Sequence, residues 1–284
     1  MRSDGRGHAD LHLHSDHSDG TEPPAAVVAA AHRHGLRTVS LTDHDTTAGW
    51  VEAAEAAVSL GMTFLPGMEL SARHEWRSVH VLGYLFDPDD TGLRALTDRI
   101  RDSRHTRARR IVDNIGRDHD LTWDDVAART AADATVGRPH IADALVDRGL
   151  VRDRGEAFAG ILHPRGPYYV ALYAPDPVTA VAAIAAAGGV PIVAHPAARA
   201  PLPMPVIERM LAAGLAGFEL GHRENAEPGL SVLRALVRER DLIETGSSDY
   251  HGTGKPNVPG EFTTSDEMVA RIAARGTGSA LVAP

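Results

Sequence analysis

The sequence predicts an α/β chain whose parallel strands form an open sheet or close into a barrel, interrupted by a helical insertion. Three observations predict it. Seven short strand-like runs alternate with alanine-rich helical stretches, the pattern of a parallel α/β sheet. One charged stretch, residues 98–165, carries no strand signal. Histidines and carboxylates gather where the strands end, the edge at which converging loops build sites in such folds. The 284 residues suit one large domain, or a barrel with an inserted subdomain, and allow a substantial core.

The first run, ADLHLH (9–14), alternates, so Leu11 and Leu13 face one side while Asp10, His12 and His14 face the other. It opens into SDHSDG, a loop of turn formers that carries Asp19. A strand with two imidazoles that leads to a third candidate ligand suits half of a metal site; a polar surface hairpin is the plainer reading that this stretch alone leaves open. The helix EPPAAVVAAAHRHG follows, with Pro23 and Pro24 in its first turn and Gly35 at its end. RTVSLT (37–42) leads to His44 in LTDHD, and TFLPG (63–67) leads to Glu69 in PGMEL. SVHVLGYL (78–85) holds His80 inside the strand.

The insertion starts with DRIRDSRHTRARRIVDNIG, a long charged helix. Arg99, Arg101, Arg104, Arg107, Arg109 and Arg110 are expected on its solvated face with Asp98, Asp102 and Asp113 as partners, substrate contact being the alternative. These boundaries assign 1–97 and 166–284 to the barrel and 98–165 to a helical subdomain able to lid the site. PVTAVAAIAAAGGVPIVAHP (177–196) is apolar enough to suggest a membrane span, but Gly188, Gly189 and Pro191 break it into a helix, a turn and a buried strand ending at His195. AGFEL (216–220) precedes His222 in GHREN, for which a surface position is expected. DLIETGS (241–247) runs into GSSDYHG, with Asp249 and His251.

A net charge of -9 argues against broad adhesion to duplex nucleic acid or an anionic membrane. No cysteine is present, which excludes disulfides, zinc-thiolate sites and thiol catalysis and fits a reducing cytosol. The start, MRSDGRGHADLH, lacks an apolar run and argues against a signal peptide. A cytoplasmic chain is expected, and no protein partner is evident.

DLHLHSDHSDG, LTDHD, PGMEL, VHVLGY, AHP and GSSDYHG, in this order, resemble the metal-binding motifs of the PHP family, the polymerase and histidinol phosphatase superfamily. The resemblance spans nearly the whole chain and implies a distorted seven-stranded (β/α) TIM-like barrel with nine ligands for three divalent ions. His12, His14, Glu69 and Asp249 would hold one ion; Glu69 would bridge to a second on His80 and His195; Asp19, His44 and His251 would hold the third. Three such ions less three carboxylates leave about +3, which a phosphate dianion and a hydroxide offset. Imidazole and carboxylate suit manganese, with iron or zinc as alternatives. Asp10 is a candidate partner for these ligands on the same strand face.

GRPHIADALVDRG (137–149) and PYYV (167–170) further resemble stand-alone PHP phosphoesterases acting on nucleoside monophosphates and 3′,5′-bisphosphates, some of which trim short oligonucleotides from the 5′ end. That resemblance implies attack of a metal-bridging hydroxide on a small phosphate monoester, and places Arg138 and His140 against the phosphate. Pro139 allows a plainer reading, in which R-P-H merely opens a helix. Arg199 is a weaker candidate. Relatives often show a lysine before PYYV, where this chain has Arg165; its only lysine is Lys255, in another loop. The alternatives are a histidinol-phosphate-type phosphatase, a silent PHP metal-binding module and hydrolysis of a C–N bond. The helical insertion and GRPHIA weigh against the first, retention of all nine ligands against the second, and the lack of a strand-end lysine suited to carbamylation against the third.

Overall fold

The computed structural model describes residues 7–131, 134–198 and 201–284. Eight strands and ten helices lie among them. β1 (Ala9–Leu13) is buried along its whole length, its leucines in the core and His12 in the site, with His14 just past its end. α1 (Pro24–Arg33) starts on Pro24 and returns the chain to β2 (Thr38–Leu41); α2 (Trp50–Ser59) leads to the short β3 (Thr63–Phe64). β1, β2 and β3 pair in parallel, in that order.

The second sheet departs from the expected parallel pattern. β4 (Gly67–His74) and β5 (Arg77–Tyr84) form an antiparallel hairpin with every residue from Gly67↔Tyr84 to His74↔Arg77 in register. β4 has no counterpart among the seven predicted strands. Pro66-Gly67 reads as the end of a strand, but Met68, Leu70 and Ala72 alternate with Glu69, Ser71 and Arg73 behind it and pack into one apolar cluster, the period-two signal of a strand. Glu69 therefore sits inside a strand, not after one.

α3 (Thr91–Ile115) begins earlier than the predicted boundary at 98, because Asp90 caps it by accepting the Leu93 N–H at 2.8 Å. α4 (Trp123–Ala127), α5 (Arg138–Asp147) and α6 (Arg154–Ala159) follow. Ile111, Ile115, Val126, Ile141, Leu145 and Leu162 belong to an apolar cluster drawn from residues 108–170 alone.

The apolar stretch 177–196 breaks as its glycines predict: α7 (Pro177–Ala186), then Gly188 at φ +75°, then β6 (Val190–Val193). A Cβ on Gly188 would lie 2.7 Å from Thr277 Oγ1, so only glycine fits both the backbone angle and the space. No helix among the described residues is long and apolar enough to cross a membrane. β6 pairs antiparallel with β5 and parallel with β7 (Gly217–Gly221). α8 (Met204–Ala212) joins β6 to β7, α9 (Gly229–Glu239) joins β7 to the parallel β8 (Ile243–Gly246), and α10 (Asp266–Arg275) ends the series.

The sheet order is β1-β2-β3 and β4-β5-β6-β7-β8. These are two sheets in place of one closed seven-stranded barrel. Single bridges meet at both seams, Leu13↔Tyr250 and His44↔Glu69. The seams matter because each bridge lies at a ligand or one residue from it.

Candidate metal centre

Glu69, 1% exposed, is the hub. Its Oε2 lies 3.2 Å from His12 Nε2, 3.1 Å from His14 Nε2 and 3.1 Å from His44 Nδ1. Its Oε1 lies 2.6 Å from His80 Nδ1 and 3.4 Å from His195 Nε2. Asp249, in the loop after β8, faces the cluster through Oδ1, 3.4 Å from both His12 and His14 Nε2. Asp19 stands 3.1 Å from His251 Nε2 and 3.7 Å from His44 Nε2. All nine predicted residues thus meet. Three subsets bring their ligand atoms close enough to hold an ion: His14, Asp19, His44 and His251; His12, His14 and Asp249; His44, Glu69 and His80. His14 and His44 each fall in two subsets, whereas the resemblance implies Glu69 as the residue shared between ions. His195 (φ +29°) and Asp249 (φ +56°) hold left-handed backbone at strand ends, strain of about 1–3 kcal/mol each that the surrounding packing sustains.

The hydrogen-bond network assigns the ring tautomers. His12 Nδ1 donates to Glu219 Oε1 at 3.0 Å, leaving Nε2 to face Glu69 and Asp249. His14 Nδ1 faces Ser18 Oγ at 3.3 Å; that hydroxyl donates to Asp43 Oδ1 at 2.6 Å and so accepts from the ring. His251 Nδ1 donates to the Asp249 carbonyl at 2.8 Å. In all three, Nε2 is the atom turned inward. His12 Nε2, His14 Nε2, His251 Nε2, His44 Nδ1 and Asp19 Oδ1 are buried without a hydrogen-bond partner. Each such atom costs about 1–3 kcal/mol, and five converging on one another fit a donor set for cations.

Charge points the same way. Burial would raise the Glu69 carboxyl, but His80, His44 and His12 hold it well below the usual range. Asp19 and Asp249 are likewise held low against burial, Asp19 by His44 and His251 and Asp249 by Lys255 and His251. Burial alone would lower His12, yet Glu219, Glu69 and Asp249 lift it well above its ordinary value; Asp249 and Glu69 lift His14 to about 9. Burial keeps His44 and His251 low. The carboxylates draw positive charge to the imidazoles, charge that a divalent ion supplies by displacing protons.

A family model for the PHP domain matches residues 10–120. The chain is 33% identical over 251 residues to a 3′,5′-nucleoside bisphosphate phosphatase of Chromobacterium violaceum, covering 87% of this chain and 88% of that one. The chain belongs to the PHP family. It is similar, at 33% identity over 246 residues, to a 5′-3′ exoribonuclease of Haemophilus influenzae, with 85% of this chain and 89% of that one covered. Among solved structures, a candidate metal-dependent phosphoesterase of Bifidobacterium adolescentis superposes with a TM-score of 0.93 at 39% identity, covering 97% and 98% of the two chains. A Chromobacterium violaceum structure named as an amidohydrolase with bound sulfate and no metal gives 0.83 at 30% identity, covering 95% and 97%. The PHP fold and a metal-dependent phosphoesterase lineage follow.

The remaining predicted residues have partners of their own where the structure describes them. Arg138 opens α5 behind Gly137, its guanidinium donating to the Leu162 carbonyl at 3.3 Å and stacking on Phe158. His140 is buried, and its Nδ1 accepts the Gly137 N–H at 3.0 Å, so R-P-H does start a helix. Arg165 is exposed, and Arg199 lies outside the described residues. Asp10 bonds backbone N–H groups of Ser248 (3.1 Å), Gly260 (2.8 Å) and His12, where an imidazole partner was expected. Glu219 fills that role: 0% exposed, it holds His12 Nδ1 and accepts the His195 N–H at 2.8 Å.

His222 is buried at 3% exposure, not on the surface, with Nε2 3.6 Å from Asp249 Oδ2. Lys255 closes on Asp249 from six residues further along the same loop, Nζ to Oδ2 at 2.6 Å. Arg104 is another correction: it leaves the solvated face to pair with Asp45 at 2.8 Å and Ser71 Oγ at 2.6 Å. The i, i+4 spacing of Ile100, Arg104 and Ala108 places it on the apolar stripe.

Proposed function

We propose that this chain hydrolyses phosphate monoesters of small nucleotides, AMP and nucleoside 3′,5′-bisphosphates, and trims short oligonucleotides from the 5′ end. The observation that carries the reading is the convergence of buried, partnerless imidazole and carboxylate atoms around Glu69. The names of the Chromobacterium and Haemophilus relatives support the substrate class. On this reading His12, His14, Asp19, His44, Glu69, His80, His195, Asp249 and His251 hold three divalent cations, manganese by choice, with iron or zinc compatible with the same donors. Ions bound there supply Lewis acidity toward a phosphoryl group and bring the pKa of water toward about 7.

The protein's own part is orientation and charge. Glu219, Ser18 with Asp43, and the Asp249 carbonyl hold Nδ1–H of His12, His14 and His251, so that Nε2 is the nitrogen turned inward for a cation to take in place of a proton. His80 and His195, the more exposed histidines of the cluster, mark the side from which a substrate enters. Arg138 and His140, with Arg165 and Arg199 as secondary candidates, hold the phosphate; segment 98–165 lids the site, and the two sheets joined at their seams act as a distorted barrel around it.

Protein stripped by chelator and reloaded with manganese should release phosphate from AMP, adenosine 3′,5′-bisphosphate and a 5′-phosphorylated dinucleotide, and far less from histidinol phosphate. Full activity with metal near zero would refute the mechanism. Turnover of histidinol phosphate alone would replace the substrate.

A further inference from the structure

His222 does not share the tautomer of the ligand histidines. Its Nδ1 accepts the backbone N–H of Glu224 at 3.1 Å, so the ring proton sits on Nε2. His12, His14 and His251 are arranged the other way, each giving Nδ1–H to an oxygen. A protonated Nε2 has no lone pair for a metal. Yet this nitrogen is buried inside the site, its ring 5.1 Å from that of His195 and 6.5 Å from that of His12. It makes no hydrogen bond. The nearest carboxylate oxygen, Asp249 Oδ2, lies 3.6 Å away and already accepts from Lys255 Nζ at 2.6 Å. A buried N–H without an acceptor costs free energy in the folded protein, and such a donor in a site calls for an acceptor from outside the chain.

We propose that His222 is a substrate-binding residue whose Nε2–H donates to a phosphoryl oxygen beside the Asp249 ligand. This rests on the phosphoesterase reading above. The histidine ligands present lone pairs and can hold cations; His222 presents hydrogen and can hold the anion those cations attract. Donors aimed at transferred phosphoryl oxygens stabilise the charge that develops there.

His222→Asn separates the two ends of the ring. An asparagine oxygen can replace Nδ1 as acceptor for the Glu224 N–H, but its side chain is too short to reproduce Nε2–H. In the manganese-loaded enzyme, His222→Asn should keep wild-type metal content, weaken inhibition by inorganic phosphate, and lower kcat/KM for AMP by about ten- to a hundredfold. His222→Gln, with a longer donor, should recover part of both. Long-range ¹H–¹⁵N correlation of the metal-free protein, with His222 assigned by the signals missing in His222→Asn, should show Nε2 protonated. A lower metal content in His222→Asn would make the residue a ligand and overturn the proposal. So would wild-type phosphate inhibition and kinetics, or a proton found on Nδ1. If the wild type hydrolyses no phosphate ester, the reading of function fails instead, and direct titration of inorganic phosphate into wild type and His222→Asn still decides the donor.

Discussion

Glu219→Gln tests whether the buried carboxylate on β7 sets the metal affinity of the centre. Glu219 uses both oxygens, Oε1 for His12 Nδ1 at 3.0 Å and Oε2 for the His195 N–H at 2.8 Å. Glutamine has one oxygen. If that oxygen stays with His195, the amide NH₂ meets His12 Nδ1, which must become an acceptor and move its proton to Nε2, the atom facing Glu69 and Asp249. If it stays with His12, two N–H donors oppose each other at His195. Either arrangement also removes a negative charge beside two ligands. Partners of this kind are worth about 10- to 100-fold in metal affinity, or about 1.4–2.8 kcal/mol. The assay is a manganese titration by calorimetry, with a chelator of known affinity as competitor and a thermal melt to establish folding. The expected result is that loss of affinity, with kcat at saturating manganese close to wild type because every ligand remains. Unchanged manganese affinity in a folded variant would refute the argument that Glu219 fixes the His12 tautomer.

His12→Ala and Asp249→Asn remove ligands themselves, so turnover should vanish even at saturating manganese while the far-UV spectrum is kept; near-normal turnover at full metal occupancy would remove that residue from the set. Arg104→Met should destabilise the protein by about 3–5 kcal/mol in urea unfolding, since it strands the buried Asp45 carboxylate. A loss below about 1 kcal/mol would class the pair with surface ion pairs. Arg138→Ala should lower kcat/KM on AMP by roughly 10²-fold with metal content unchanged, and Arg138→Lys should rescue only part, because a point charge does not reproduce the guanidinium fork. Wild-type kinetics in Arg138→Ala would leave the residue only its place at the start of α5.

Most of the architecture is legible because periodicity survives in the sequence. β1, β2, β5, β6, β7 and β8 coincide with apolar or alternating runs, and Gly188 punctuates α7 and β6 where a span might otherwise be read. β4 is the exception. It packs against β5 and α7, and Met68, Leu70 and Ala72 do alternate with Glu69, Ser71 and Arg73; the Pro66-Gly67 turn signal just ahead of it hides that alternation. The sheet direction changes there because a hairpin needs only a short turn, and Glu75-Trp76 provides it between His74 and Arg77.

Residue types at strand ends announce the metal ligands, but the residues that make them ligands lie elsewhere. Glu219 is 207 positions from His12, and His222 reaches Asp249 from the loop after β7. Period two does offer a signal for Glu219, since Phe218 and Leu220 point to the core and leave the glutamate facing the site. No such signal distinguishes His222 from His12. Both are buried histidines beside Asp249, and what separates them is the partner of the far nitrogen, a carboxylate for one and a backbone N–H for the other. A carboxylate takes the ring proton and frees the inner nitrogen for a cation; an N–H forces the proton inward and makes the same side chain a donor. The chemical role of a histidine is therefore a property of the fold around its outer edge, which is why a motif can locate this centre but the tertiary structure has to sort its ligands from its donors.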